Sequence, residues 1–381
     1  KLKQDKDCSI CLIMTLKSLL QKRKRKRRGQ KNLVMKIALI NDTHFGARGD
    51  SQLFFDYFMK FFNDVFFPYL KKNNIKTIIH AGDLMDRRKF VNFNILNQVR
   101  TKFFDRIDKD SIEMHCILGN HDVYYRNTNM VNSIRELFNN DLKLYETPEI
   151  VNFDGLDIAL LPWVNKENEK ESIDFIKNAA APIIIGHLEL RGYDVMRGVK
   201  FNGGMDSNLF DRYEKVLSGH FHCRQEKENV YYMGTQYQIT FADLDETKGF
   251  HVLDTETREI EFIENPFKMF HTLTYNDSEE IDVDNIDCST FKDSYIKIFV
   301  ESKKQPYTFD RFMNKLYDAG VAKITTVEDV IDSEWTKEEI VDLAQDTVTL
   351  INNEIDSIEE VEDKPRMKKL IKDLYMESLS L

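Results

Sequence analysis

A chain of 381 residues, 42% hydrophobic with a net charge of −10, holds material for two or three domains and an ample core. Its longest apolar runs fall far short of the about 20 residues that cross a bilayer, which argues against a membrane protein. Five scattered cysteines, Cys8, Cys11, Cys116, Cys223 and Cys288, argue against a secreted disulfide framework and fit a reducing cytoplasm.

In chain order, residues 1–34 come first, with twelve Lys/Arg against two Asp/Glu. That net of +10 leaves 42 minus 62, or −20, for the remainder. The segment begins with Lys1, has its apolar stretch (10–14) before its basic run (22–28), the reverse of a signal peptide, and reads as an extension or added leader forming a solvated, disordered tail. Cys8-Ser9-Ile10-Cys11 is a single CxxC with no partner pair, a weak zinc signal.

From Met35 the chain alternates short apolar runs with helical patterns. The run 37–40 reads as a buried strand and is followed by Asp42-Thr43-His44. Residues 52–70, dense in phenylalanine, predict a helix with a buried face. Strand 75–79 precedes Gly82-Asp83-Leu84-Met85-Asp86 and then the basic cluster Arg87-Arg88-Lys89. A helix is predicted over 93–107, with Phe93, Leu96, Val99, Phe103 and Ile107 near helical spacing. Strand 114–118 leads to Gly119-Asn120-His121-Asp122 and to Tyr124-Tyr125-Arg126. Strands 183–185 and 216–217 lead to Gly186-His187 and to Gly219-His220-Phe221-His222. The polar fragments thus stand at strand ends, where open α/β sheets gather their chemistry.

Asp42, His44, Asp83, Asn120, His187, His220 and His222 form a mixed oxygen and imidazole set without thiolate, which suits Mn, Mg or Fe(II) and argues against a structural zinc knot. A pair of such cations, roughly 3.5 to 4 Å apart, activates water and neutralises the charge of an in-line displacement at phosphorus. Each fragment alone is weak; five in order are a specific signal that needs its strand-end context. His80, His115, His251 and His271 lie outside the pattern and read as structural or surface residues.

The order D-x-H, G-D-x-x-D, G-N-H-D, G-H, G-H-x-H resembles the calcineurin-like metallophosphoesterase superfamily, and everything after residue 34 resembles the SbcD-type DNA repair nucleases, in particular their phage branch. Leu161-Pro162-Trp163, Gly186-His187-Leu188-Glu189-Leu190 and the stretch Phe250-His251-Val252-Leu253-Asp254-Thr255-Glu256-Thr257 add to the likeness. The resemblance implies an α/β fold, a two-sheet sandwich flanked by helices over 35–266, then a small α+β capping domain over 267–328 and a C-terminal segment over 329–381. It implies that Asp42, His44, Asp83 and His222 hold one metal and Asp83, Asn120, His187 and His220 the other, with two divalent ions, Mn2+ first and Mg2+ or Fe2+ as substitutes. It implies that His121 faces the scissile phosphate as the catalytic group, and that Asp86 and Asp122 orient imidazoles from behind. Cellular members often carry histidine where this chain has Asp86, which bears on the balance of exonuclease and endonuclease modes.

Arg87, Arg88, Lys89, Tyr124 and Arg126 are candidate DNA contacts, with a solvated loop as the plain alternative. The resemblance also implies a homodimer and an SMC-like, SbcC-type ATPase docked on the C-terminal helix. The chain contains no G-x-x-x-x-G-K-[ST], so ATP dependence would come from that partner. In the cap region, a strand is predicted over 294–300, a helix capped by Thr308 over 308–319 and a second strand over 321–327, before an acidic, helical 329–362 and an amphipathic pattern at Met367, Leu370, Ile371, Leu374 and Tyr375. The expected function is a metal-dependent DNA nuclease subunit of a recombination and repair complex, in the host cytoplasm if the source is a phage. A phosphomonoesterase or cyclic-nucleotide phosphodiesterase is the first alternative, a non-catalytic scaffold the second.

Overall fold

The computed structural model describes residues 35–279, 282–327, 363–368 and 370. The basic segment 1–34, the acidic stretch 329–362 and Ile371, Leu374 and Tyr375 lie outside the described residues.

The strand Lys36–Ile40 shows how the sequence builds the layers. Alternate side chains point to opposite faces. Ile37 and Leu39 enter a core between two sheets, with Ile79, Ile117, Ile158, Leu160, Ile183, Ile185 and Leu217. Ala38 and Ile40 face outward into a second core, beneath the aromatic helices. Because both faces are buried, the central strands are continuous apolar runs.

The first sheet has the order Ile260–Glu264, Gly249–Asp254, Lys36–Ile40, Thr77–His80, Glu113–Ile117, Lys143–Tyr145, and the last four are parallel. The second has the order Gln225–Lys227, Val230–Tyr232, Lys215–Gly219, Ile183–His187, Leu156–Leu161, Glu149–Phe153, with its four middle strands parallel. A third core behind this sheet joins Ile184 and Val216 to Ile176, Phe210 and Tyr213. The result is two six-stranded sheets face to face, each backed by helices, the α/β sandwich expected.

Both predicted helices of the first half are interrupted by π-helical turns. Gln52–Phe61 continues through Phe62–Phe66 into Phe67–Lys72, and Phe93–Gln98 through Val99–Phe104 into Asp105–Lys109. A π-turn inserts one residue into the helical repeat. Phe61, Phe62, Phe66 and Phe67 are all buried as a result. Phe93 is not part of the buried face of its helix: it is 81% exposed, while Val99, Phe103 and Ile107 are buried.

After Pro266 a three-stranded parallel sheet of Phe270–Asn276, Tyr295–Ser302 and Lys323–Val327 is backed by the helix Pro306–Asp318. It has a core of its own, including Tyr275, Ile298, Phe309, Phe312 and Leu316. Phe270 and Tyr295 also reach the main body, 5.9 and 5.5 Å from the Phe54 ring. The helix starts at Pro306 after Gln305, two residues before the predicted Thr cap, because proline suits the first helical turn. Thr308 instead donates to Gln305 Oε1 at 3.1 Å.

Candidate metal centre

The parallel strands of the two sheets end along one edge, and the predicted fragments meet there. Asp42 and His44 follow Lys36–Ile40, Asp83 follows Thr77–His80, and Asn120 and His121 follow Glu113–Ile117. From the second sheet, His187 is the last residue of Ile183–His187, and His220 and His222 follow Lys215–Gly219.

Bringing these groups together forces the backbone into unusual shapes. Asp42, His44, Asp83 and His220 have positive φ, 47°, 42°, 58° and 83°, a region that costs energy for non-glycine residues and clusters at functional sites. Glycine is required where two loops touch. A Cβ on Gly119 would lie 2.2 Å from Asp83 Oδ1, and one on Gly82, whose φ is +90°, 2.5 Å from His187 Nδ1.

Three groups of donors could hold cations: Asp42, His44 and His222; His44, Asp83 and His121; Asp83, His187 and His220. In the first, His44 Nε2 lies 3.2 Å from His222 Nε2 and 3.8 Å from Asp42 Oδ1; in the second it lies 3.8 Å from Asp83 Oδ2. In the third, His187 Nε2 lies 3.3 Å from Asp83 Oδ2 and 3.2 Å from His220 Nδ1. Asn120 Oδ1 sits between those two imidazoles, at 2.9 and 2.8 Å. The other nitrogens are engaged behind: His187 Nδ1 with Ala81 O at 2.8 Å, His220 Nε2 with Glu189 Oε1 at 3.1 Å. Carboxylate oxygens and imidazole nitrogens therefore converge on each point, a donor chemistry that a cation would fit; without one, the Asn120 amide satisfies the third point by turning its nitrogen toward His187, His220 and Asp83.

The charges agree with this donor set. Burial opposes protonation of His44, but Asp86, Asp83 and Asp42 outweigh it and raise its pKa to about 9. Burial likewise opposes the charge on His187, and Asp83 raises it to about 9. Burial would lift the Asp83 pKa, yet His187, His121 and His44 hold its carboxyl well below the usual range. His222 is pushed down to about 4 by burial and by His44.

These shifts give a prediction for the metal-free protein. The two raised histidines contribute stability that is complete below pH 6.5 and is lost as pH rises through about 9. A cation must displace both protons, so apparent Mn2+ affinity should climb through that window, with about two protons released per chain near neutral pH. Titration calorimetry in buffers of different ionisation enthalpy measures this directly; binding without proton release would contradict it.

Asp86 and Asp122 support the centre in different ways. Asp86 Oδ1 approaches His44 Nδ1 at 3.3 Å, off-line enough to leave Nδ1 without a hydrogen bond. Asp122 orients no imidazole. Its carboxylate accepts the backbone N–H groups of Asp83, Gly119 and Leu84 at 2.8, 2.8 and 3.0 Å, and of Met85 at 3.4 Å. It ties the second loop to the third.

His121 N donates to Asp83 Oδ1 at 2.7 Å, its Nδ1 pairs with Asp86 O, and its ring stands 4.8 Å from that of His44. Of the basic cluster, only Arg88 turns toward the centre; Arg87 pairs with Asp50, and Lys89 lies 5.6 Å above the Tyr124 ring. Tyr124, Tyr125 and Arg126 are exposed.

Two supporting residues escaped sequence reasoning. Glu189 follows His187 by two positions, a spacing that could have flagged it. Lys248, 26 residues beyond His222, carries no local signal. Its buried ammonium donates to His222 O at 2.9 Å and pairs with Asp243 and Glu246 at 2.7 and 2.6 Å.

The sequence of residues 35–224 matches the calcineurin-like phosphoesterase family. The chain is 30% identical over 349 residues to exonuclease subunit 1 of Enterobacteria phage T4, covering 90% of this chain and 99% of that protein. The chain belongs to the calcineurin-like phosphoesterase family. Two further members resemble it less: a putative phosphoesterase of Invertebrate iridescent virus 3, 23% identical over 61% of this chain and 66% of its own length, and the SbcD component of the SbcCD nuclease of Staphylococcus epidermidis, 26% identical over 59% and 67%. Like the SbcD-type resemblance read from the motifs, these relatives join this calcineurin-like phosphoesterase to metal-dependent hydrolases. Among its described residues, no helix is long and apolar enough to cross a membrane.

Proposed function

We propose that this calcineurin-like phosphoesterase is a metal-dependent DNA nuclease, a subunit of a recombination and repair complex. The observation that carries the reading is the convergence of Asp42, His44, Asp83, Asn120, His187, His220 and His222 into donor clusters joined through Asp83. In this reading Asp42, His44, Asp83 and His222 hold one divalent cation and Asp83, Asn120, His187 and His220 the other, with Mn2+ the best fit to the mixed donors. Bound there, the cations would supply Lewis acidity and activate a water. The chain's own residues do the rest. Asp83 supplies negative charge between both sites, Glu189 and Ala81 O fix the imidazole orientations, and His121 stands beside the first cluster to protonate the departing oxygen.

The substrate comes from the relatives, since the T4 protein is named an exonuclease subunit and the S. epidermidis protein a nuclease subunit. By the same likeness, residues 267–328 form a cap beside the DNA path, the C-terminal segment docks on an SMC-like ATPase, and two copies pair. Purified protein with Mn2+ is expected to degrade linear duplex DNA and to act feebly on p-nitrophenyl phosphate. Hydrolysis of the monoester alone would overturn the nuclease reading and favour a phosphomonoesterase.

A further inference from the structure

Between the strand Val230–Tyr232 and the short turn Phe241–Asp243 the chain is neither helix nor strand, yet residues 233–239 are all buried. Irregular backbone normally runs over the surface, because its N–H and C=O groups need partners. Here side-chain amides supply them. Asn41, Gln236, Gln238 and Asn265 are each at most 5% exposed. Their hydrogen bonds run in two lines from residues 265–270, the root of the three-stranded unit, to the first donor cluster.

The first line starts at Asn265. Its Nδ2 donates to Gln236 O at 2.9 Å, Gln236 Nε2 donates to Asn41 O at 2.7 Å, and Asn41 Nδ2 donates to Asp42 Oδ2 at 2.5 Å. The second line starts where the three-stranded sheet begins. The N–H groups of Met269 and Phe270 both donate to Gln238 Oε1, at 2.9 and 3.0 Å, and Gln238 Nε2 donates to the carbonyls of Asp243 and Leu244 at 3.0 and 2.9 Å. The Asp243 carboxylate pairs with Lys248, whose ammonium holds His222 O; Thr235 N donates to the same carbonyl at 3.2 Å. Both lines end on one donor group, that of Asp42 and His222. The imidazoles of His187 and His220 are held from elsewhere, by Ala81 O and Glu189. A buried ammonium keeps its charge only while its partners stay in place, so the Lys248 pairing fixes what it touches. The side chains of Met269 and Phe270 are themselves buried in the main aromatic core, so the root cannot shift without breaking the Gln238 bonds.

We propose that Gln238, Asp243 and Lys248 are positioning residues that couple the root of the three-stranded unit to the first cation site. Filling the site steadies Met269 and Phe270, and loosening that root weakens the site; the two effects are reciprocal by linkage. The inference rests on the metal-centre reading and adds to it a route that ties the capping unit to one of the two ions.

Lys248→Met alone would strand the Asp243 carboxylate in the core, so the test variant is Lys248→Met/Asp243→Asn. Asparagine can still accept the Ile239 and Thr240 N–H groups, which Asp243 takes at 2.9 and 2.8 Å. Mn2+ binding to the full-length chain is followed by electron paramagnetic resonance of the free ion, in two backgrounds that each spare one cluster. With His187→Ala impairing the second site, the double substitution should weaken the remaining one about 10- to 100-fold, the range for groups that orient ligands from behind. With His222→Ala impairing the first, it should leave the remaining affinity within about threefold. Hydrogen exchange reads the other end and needs no substitution: Mn2+ should slow exchange at the Met269 and Phe270 amides of the wild type, and this slowing should vanish in the variant. Equal weakening of both sites, or of neither, would overturn the positioning role. Exchange at 269–270 that ignores bound Mn2+ in the wild type would overturn the coupling. A wild type that binds no Mn2+ would overturn the metal-centre reading itself, and the inference with it.

Discussion

Replacing Asp83 by alanine should lower Mn2+-dependent cleavage by at least about a thousandfold, from several kcal/mol of lost charge stabilisation at one power of ten per 1.36 kcal/mol. Asp83 is 2% exposed, and its Oδ2 faces His187 at 3.3 Å and His44 at 3.8 Å, so its loss removes the carboxylate standing between those two imidazoles. The backbone there is left-handed, φ 58°, which alanine tolerates poorly. Asp83→Asn separates the two effects, because asparagine accepts that conformation and can keep the bond from His121 N while losing the charge. Both variants should bind less Mn2+ than wild type by elemental analysis. Two tightly held ions and activity within about tenfold of wild type in Asp83→Asn would refute the bridging role.

The second large effect belongs to His121. General acid–base groups contribute about 10² to 10⁴ in rate, so His121→Ala should lose that much in kcat while Mn2+ content holds. Nδ1–H is engaged by Asp86 O, which leaves Nε2 toward the centre; it can donate there only from the imidazolium. Burial pushes the His121 pKa down, with His44 also opposing and Asp83 and Asp86 in support. The acid form therefore declines as pH rises, and the wild-type profile should carry an alkaline fall that His121→Ala lacks. The defect should also shrink on substrates with a good leaving group such as p-nitrophenolate. Equal defects on p-nitrophenyl and deoxyribose leaving groups would remove His121 from the proton transfer.

What could be read from the sequence follows from how local the signals are. The strands behind the site are uninterrupted apolar runs because both of their faces are covered, and the ligand fragments abut them directly, so position in sequence maps onto position at the sheet edge. Long-range pairings left no such trace. Lys248 meets His222 O through the antiparallel return of Gly249–Asp254 beside Lys36–Ile40, a contact that exists only once that strand has crossed the first sheet. The family resemblance implies an imidazole partner in Asp122; its backbone role depends on two loops lying back to back, with Gly119 allowing the approach. The π-turns were equally hidden, since an extra residue in a phenylalanine-rich helix leaves the stretch just as apolar. Phe93 was misjudged for a related reason: a periodic pattern identifies a face without showing where along the helix the cover ends.

Every donor cluster that pairs an imidazole of the second sheet with a carboxylate of the first spans the seam of the sandwich. Asp42 and His44 come from one side and His222 from the other; Asp83 and Asn120 from one, His187 and His220 from the other. A filled centre would then act as a rivet through two independently hydrogen-bonded plates. In the proposed assignment each socket draws on both plates, so neither would be complete until Lys215–Gly219 has joined the second sheet and brought His220 and His222 to the seam.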